Sequence, residues 1–106
     1  MRKANVYRNN ELVGTLVEEN HDSYIFRYDD VWFANPNKPD VSLTIAKTRQ
    51  EYNSTFLFPF FFNMLSEGVN RKLQCRQLKI DENDHFGLLL ATAMYDTIGA
   101  VTVKQE

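Results

Sequence analysis

The 106-residue sequence predicts an α+β fold: an antiparallel sheet of four to five strands, made by an N-terminal meander and a C-terminal strand, with about three helices in the second half. Three observations predict it. Short segments with two-residue alternation, separated by turn residues, fill positions 2–45. Helical spacing dominates positions 59–94. The chain then closes on Thr97-Ile98-Gly99-Ala100-Val101-Thr102-Val103, a β-branched run suited to pair back into the N-terminal sheet. At this length one domain, residues 1–106, is expected.

Residues 2–8 and 11–18 read as a hairpin around Asn9-Asn10, because Asn tolerates the positive φ of a type I′ turn. Ala4 and Val6, with Arg2, alternate with Lys3, Asn5 and Tyr7; Leu12, Gly14 and Leu16 alternate with Val13, Thr15 and Val17. A turn at Asn20-His21-Asp22-Ser23 precedes a third strand, Tyr24–Tyr28, rich in aromatic and β-branched residues. Asp29-Asp30 offers an N-cap for one helical turn through Val31-Trp32-Phe33, and Asn35-Pro36-Asn37-Lys38-Pro39 reads as a loop. Val41–Ile45 alternates strictly and predicts a fourth strand, with the polar stretch Lys47–Thr55 as a connecting loop.

Pro59 suits the first turn of the first of the three helices, where its missing N–H costs little, and Gly68 is placed just past that helix as a left-handed residue. From Val69 to about Lys79 the spacing is helical, with Val69, Leu73 and Ile80 on one face and Lys72, Arg76 and Lys79 on another. Asp81-Glu82-Asn83-Asp84 supplies candidate caps for a helix over 84–94, whose Phe86, Leu89, Leu90 and Ala93 share a stripe.

Composition narrows the function. With 43% apolar and 25% charged residues the chain reads as globular. A net charge of −2 gives no global field to attract nucleic acid, so no direct nucleic-acid partner is expected. No signal-peptide core follows Met1-Arg2-Lys3, and no apolar run is long enough to span a bilayer, so no membrane partner is expected either. A single Cys75 forms no internal disulfide, which agrees with a reducing cytoplasm.

No catalytic constellation is visible. Gly14, Gly68, Gly87 and Gly99 are isolated, far from any phosphate-binding spacing, and no cofactor is expected. His21 and His85 have no second His or Cys nearby, so no metal site is expected. Cys75 within an amphipathic helix reads as a small buried hydrophobe, and Asp81, Glu82 and Asp84 read as caps, since an EF-hand's Gly and Glu are missing. Lys72, Arg76 and Lys79 read as a solvated face; three charges without interleaved aromatics attract phosphate weakly.

The stretch Leu57–Met64 carries six Phe, Leu or Met side chains in eight residues. At 100° per residue, Phe58 through Leu65 fill an arc of roughly 200°, against the stripe of a little over 100° that a surface helix needs. The core reading takes Phe61, Met64 and Leu65. The other flank, Phe58 and Phe62 with the Ser66-Glu67-Gly68 turn, is a candidate partner-binding surface, since exposed apolar patches mark interfaces.

Three blocks, in order, resemble the N-terminal subdomain of the HipA serine/threonine kinase toxins. YRNNELVGTL lies in the opening hairpin. FPFFFNMLSEGVNRKL is similar to that family's FFxNLLPEG-x-R segment, and HFGLLLATAMYDTIGAVTV to its FDLL…GxDxxGAVTL end. Together they cover residues 3 to 103. Ser66 stands where the family usually has Pro, and Tyr95 where it has Gly before Asp96.

The chain stops at Glu106 without the kinase motifs that follow this subdomain in the toxins, which implies the subdomain on its own. A free-standing copy is similar to the small HipS-like component of tripartite HipBST toxin–antitoxin systems, whose kinase, HipT, lacks this subdomain. The resemblance implies a non-enzymatic, cytoplasmic protein that docks on a HipA/HipT-type Ser/Thr kinase and inhibits or otherwise regulates it, in a complex that includes a HipB-like DNA-binding protein. The alternative is a structural subunit that completes a split kinase or links it to that DNA-binding partner. On either reading Phe58, Phe62, Asn63, Ser66, Glu67, Gly68 and Arg71 are the expected partner-binding residues, and an interface of standard size would bury about 800 Å² of this chain.

Overall fold

The computed structural model describes residues 1–93 and 101–106. Five strands form one antiparallel sheet in the order β4-β3-β2-β1-β5, where β1 is Arg2–Arg8, β2 Glu11–Asn20, β3 Ser23–Tyr28, β4 Glu51–Ser54 and β5 Val101–Gln105. Asn9 and Asn10 both take positive φ, 50° and 68°, as a two-residue type I′ turn requires, so the predicted hairpin forms. The register passes from Val6 opposite Gly14 to Tyr7 opposite Leu12, leaving Val13 as the extra residue of a bulge. Simple alternation therefore fails in β2, and Val13 and Leu16 both point inward. Gly14 is needed at this crossing, since an added Cβ would lie 2.3 Å from the Arg27 carbonyl oxygen.

Asp29 caps α1 (Asp30–Ala34) as expected, its carboxylate accepting the Val31 N–H. The fourth strand is not where alternation placed it. Val41–Ile45 folds as a turn with a single bridge between Ser42 and Ile45, and Leu43 is 97% exposed while Val41 and Ile45 are buried. Tyr28 holds this turn from inside: its hydroxyl donates to the Ile45 carbonyl and accepts from the Val41 N–H, and burial pushes its pKa up to about 12. The strand that pairs with β3 is Glu51–Ser54, from the stretch expected to be a connecting loop.

Three helices follow: α2 (Pro59–Phe62), α3 (Gly68–Leu78) and α4 (His85–Thr92). Pro59 opens α2, but the helix lasts one turn and gives way to successive turns at Met64 and Leu65, whose N–H groups reach the Phe61 and Phe62 carbonyls. Gly68 is left-handed at φ 60°, but it starts α3 instead of ending α2. In α4, Phe86, Leu88, Leu89 and Leu90 are buried against the sheet, and Asp84 is the cap, accepting the Gly87 N–H at 3.1 Å. In α3 Cys75 is buried, as expected, while Val69 and Leu73 share a face that is exposed to solvent. The closing strand β5 pairs with β1; the start of its predicted run, Thr97–Ala100, lies outside the described residues, as do Tyr95 and Asp96.

Candidate partner-binding surface

The aromatic block leaves the sheet edge at Ser54 and turns over the core. Phe58 is extended, and its carbonyl accepts both the Phe61 and Phe62 N–H groups, which starts α2 at Pro59 without needing an N–H there. A single turn then sends consecutive rings in different directions. Phe61 is fully buried, its ring centroid 5.8 Å from Phe26, 6.4 Å from Phe58 and 5.2 Å from Phe60. Phe58, expected on the outer flank, is 7% exposed and lies within this core cluster.

Phe62 points the other way and is 37% exposed. Its ring meets His85 edge-on at 5.1 Å, and the Arg71 guanidinium sits 5.8 Å from its centroid. Arg71 donates to the Glu82 carbonyl at 2.6 Å and to His85 Nδ1, so three separate segments, the end of α2, the first turn of α3 and the start of α4, meet at these side chains. Burial depresses the His85 pKa first, and the Arg71 charge depresses it further against the opposing pull of Asp84. The lowered pKa favours the neutral ring, whose Nδ1 accepts from the Arg71 guanidinium. Between Phe62 and α3 runs the turn that carries Asn63 and Glu67, both exposed, with Ser66 half-buried, and the exposed Gly68 opens α3.

Beside this cluster a groove opens between the His21-Asp22 turn, Phe56 and the start of α4. Phe56 stands on its wall at 74% exposed. The floor is an ionic network. Arg2 forks onto Asp84 at 2.7 and 3.1 Å and donates from Nε to Glu18 at 2.8 Å, while Tyr24 donates to the other Glu18 oxygen. The fork and the Gly87 N–H hold the Asp84 carboxyl below its ordinary pKa, and the two carboxylates raise that of Arg2. One aspartate thus caps α4 and ties it to the first strand.

Of the seven expected residues, Phe62 and Arg71 are brought together, Asn63, Ser66 and Glu67 lie in the adjoining turn, Gly68 opens α3, and Phe58 lies beneath. Sequence reasoning missed His85 and Phe56 as members of this surface. The signal for His85 was its place just after a strong cap, opposite a helix that begins near Arg71; Phe56 carried none beyond its neighbours. Cys75 is buried, and among the described residues no three His, Cys, Asp or Glu side chains are grouped to hold a metal.

The chain matches a known family model, the HipA N-terminal domain, over residues 4–104. The chain belongs to the HipA N-terminal domain family. A solved structure of the N-terminal domain of HipA toxin superposes with a TM-score of 0.73 at 28% identity, over 100% of this chain and 93% of that one. An uncharacterized protein of Haemophilus influenzae is 28% identical across the whole chain and 94% of its own length. The kinase-named protein Y4mE of Sinorhizobium fredii is 25% identical over 84% of this chain, which spans only 21% of that longer protein. Among the described residues no helix is long and apolar enough to cross a membrane.

Proposed function

We propose that this chain is a non-catalytic binding protein that docks on a separately encoded HipA/HipT-type Ser/Thr kinase in the cytoplasm and inhibits it in the manner of an antitoxin. The observation that carries the reading is the outward Phe62, held by Arg71 and His85 beside an exposed turn, in a family whose domain also occurs as a minor part of a kinase-named protein. A half-exposed ring braced by a guanidinium is pre-ordered for a partner pocket, and aromatic and Arg side chains are the usual anchors of such contacts. Phe62, Asn63, Ser66, Glu67, Gly68 and Arg71 form the contact, with Phe58 supporting it from the core.

The test is co-expression with a HipA-type kinase that lacks this domain, followed by affinity capture and an autophosphorylation assay. Complex formation with reduced autophosphorylation and relief of growth inhibition is expected. Phe62→Asp and Glu67→Arg should each lose the complex while circular dichroism shows an unchanged fold. Increased autophosphorylation would favour a structural subunit of a split kinase, one that links it to a HipB-like DNA-binding protein. No complex with the wild-type chain would end the reading.

A further inference from the structure

Arg71 braces the candidate surface through a single nitrogen. Its Nη2 donates both to the Glu82 carbonyl, at 2.6 Å, and to His85 Nδ1, while the guanidinium lies 5.8 Å from the Phe62 ring centroid. Two acceptors on one amino group fix the plane of the guanidinium as well as its position. An arginine only donates, so His85 Nδ1 must supply a lone pair, and the ring is the neutral tautomer with its proton on Nε2. The same ring meets Phe62 edge-on at 5.1 Å.

The groups around the ring set how readily Nδ1 takes a proton. From α3 the Arg71 charge opposes it. From the cap of α4 Asp84 favours it, but both Asp84 oxygens are held by the Arg2 fork and one also accepts the Gly87 N–H. Behind that fork stand Glu18 and Tyr24; His21 and Asp22 face the ring across the groove, and Asp81 lies in the segment before the helix. Glu82 turns its backbone carbonyl to the junction, and α2 contributes the uncharged Phe62 ring. Burial and Arg71 together outweigh Asp84, which leaves the His85 pKa below the ordinary 6.5.

We infer that His85 is an acid-sensitive latch: a proton on Nδ1 releases the Arg71 guanidinium, unbraces Phe62 and weakens the contact with the partner kinase. Only the last step rests on the kinase-binding reading above. Protonation removes the lone pair that Arg71 uses and sets two cations face to face. The guanidinium is then left on one hydrogen bond, to Glu82, about which it turns away from Phe62. The lowered pKa fixes the sign: the latch is closed above 6.5 and opens as pH falls through the lower folded value.

The latch itself is tested on the free chain. NMR follows the His85 imidazole from pH 7.5 to 5.0, together with the Phe62 ring and the Asn63 and Arg71 amides. These signals should move with the His85 midpoint, and Arg71→Gln should raise that midpoint. Phe62 and Arg71 signals that stay fixed while His85 titrates, or a midpoint unchanged in Arg71→Gln, would overturn the latch and leave kinase binding standing.

The last step is measured by surface plasmon resonance against a HipA-type kinase that lacks this domain. Wild-type affinity should fall at least threefold between pH 7.5 and 5.0, the loss due once roughly two thirds of the chains hold an open latch. His85→Asn offers an amide oxygen in place of the Nδ1 lone pair, one that takes up no proton in this range. Its affinity, whatever the value at pH 7.5, should therefore change less than about twofold. His21→Asn should keep the wild-type pH response, since His21 is exposed on the facing turn. An equal fall in wild type and His85→Asn, or a response lost in His21→Asn, would overturn the role of His85 in binding. No binding by the wild-type chain at pH 7.5 would remove the last step together with the kinase-binding reading, and the NMR midpoints would still decide the latch.

Discussion

The aromatic turn and α3 are neighbours in sequence with opposite fates. In residues 57–65 the apolar side chains Leu57, Phe58, Phe61 and Leu65 are buried, and Phe62 alone among the rings of α2 is turned substantially outward. Ten residues on, Val69 and Leu73 are left in water and a lone cysteine is what α3 buries. Both segments show apolar residues at helical spacing. The difference teaches that spacing defines a face but not which side of it the water is on; that is decided by what the rest of the chain can cover.

The sharpest way to break the comparison is to truncate one ring from each side of α2. Phe61→Ala should cost about 3–5 kcal/mol, because it removes a fully buried ring that touches Phe26, Phe58 and Phe60. Phe62→Ala should cost about 1 kcal/mol, the loss of a half-exposed ring and its guanidinium contact. Urea denaturation of the two variants checks this. Equal losses would mean that Phe62 is as much core as Phe61, and the candidate surface would lose its anchor.

A second pair of variants probes the clamp beside that surface. An added Cβ at Gly87 would fall 2.3 Å from an Asp84 carboxylate oxygen, so Gly87→Ala must push the carboxylate away from both the α4 N-terminus and Arg2. About 2 kcal/mol of stability should go with the cap and the fork. Asp84→Asn should cost less, since Asn caps as well as Asp. It should also change the acid response. The Asp84 pKa is lowered by folding, so its stabilisation is complete above the ordinary 3.8 and is lost as pH falls through the lower folded value. Denaturation midpoints between pH 5 and 2 should therefore fall less steeply in Asp84→Asn than in the wild type.

What could be read from the sequence follows the range of the interactions. The hairpin was legible because Asn9-Asn10 states its own turn, and the α1 and α4 caps because Asp29 and Asp84 act within three residues of themselves. The bulge at Val13 was not, since it depends on how β2 crosses Arg27 on β3. Val41–Ile45 alternates in sequence, yet the Tyr28 hydroxyl holds it as a turn, while the true edge strand Glu51–Ser54 is polar and carries no pattern. For the candidate surface, the aromatic block and Arg71 were legible as composition. Their junction with His85 was not, because it joins three segments, and neither was the fork between Arg2 and Asp84, 82 residues apart.

The smallest expected effect lies at the end of α3. Lys79 closes that helix in the left-handed region at φ 58°, its N–H bonded back to the Cys75 carbonyl. A side chain there works against the backbone, and glycine adopts the same conformation freely. Lys79→Gly should therefore stabilise the chain by about 0.5–1 kcal/mol, the sign expected for glycine at a left-handed helix end. Because Lys79 is exposed, the gain should come without any change at Phe62 or in the core. If thermal denaturation instead showed a loss, the helix would be ending elsewhere. The outward stripe of Val69 and Leu73 would then have to be redrawn, since its orientation depends on a helix that runs unbroken from Gly68 to Leu78.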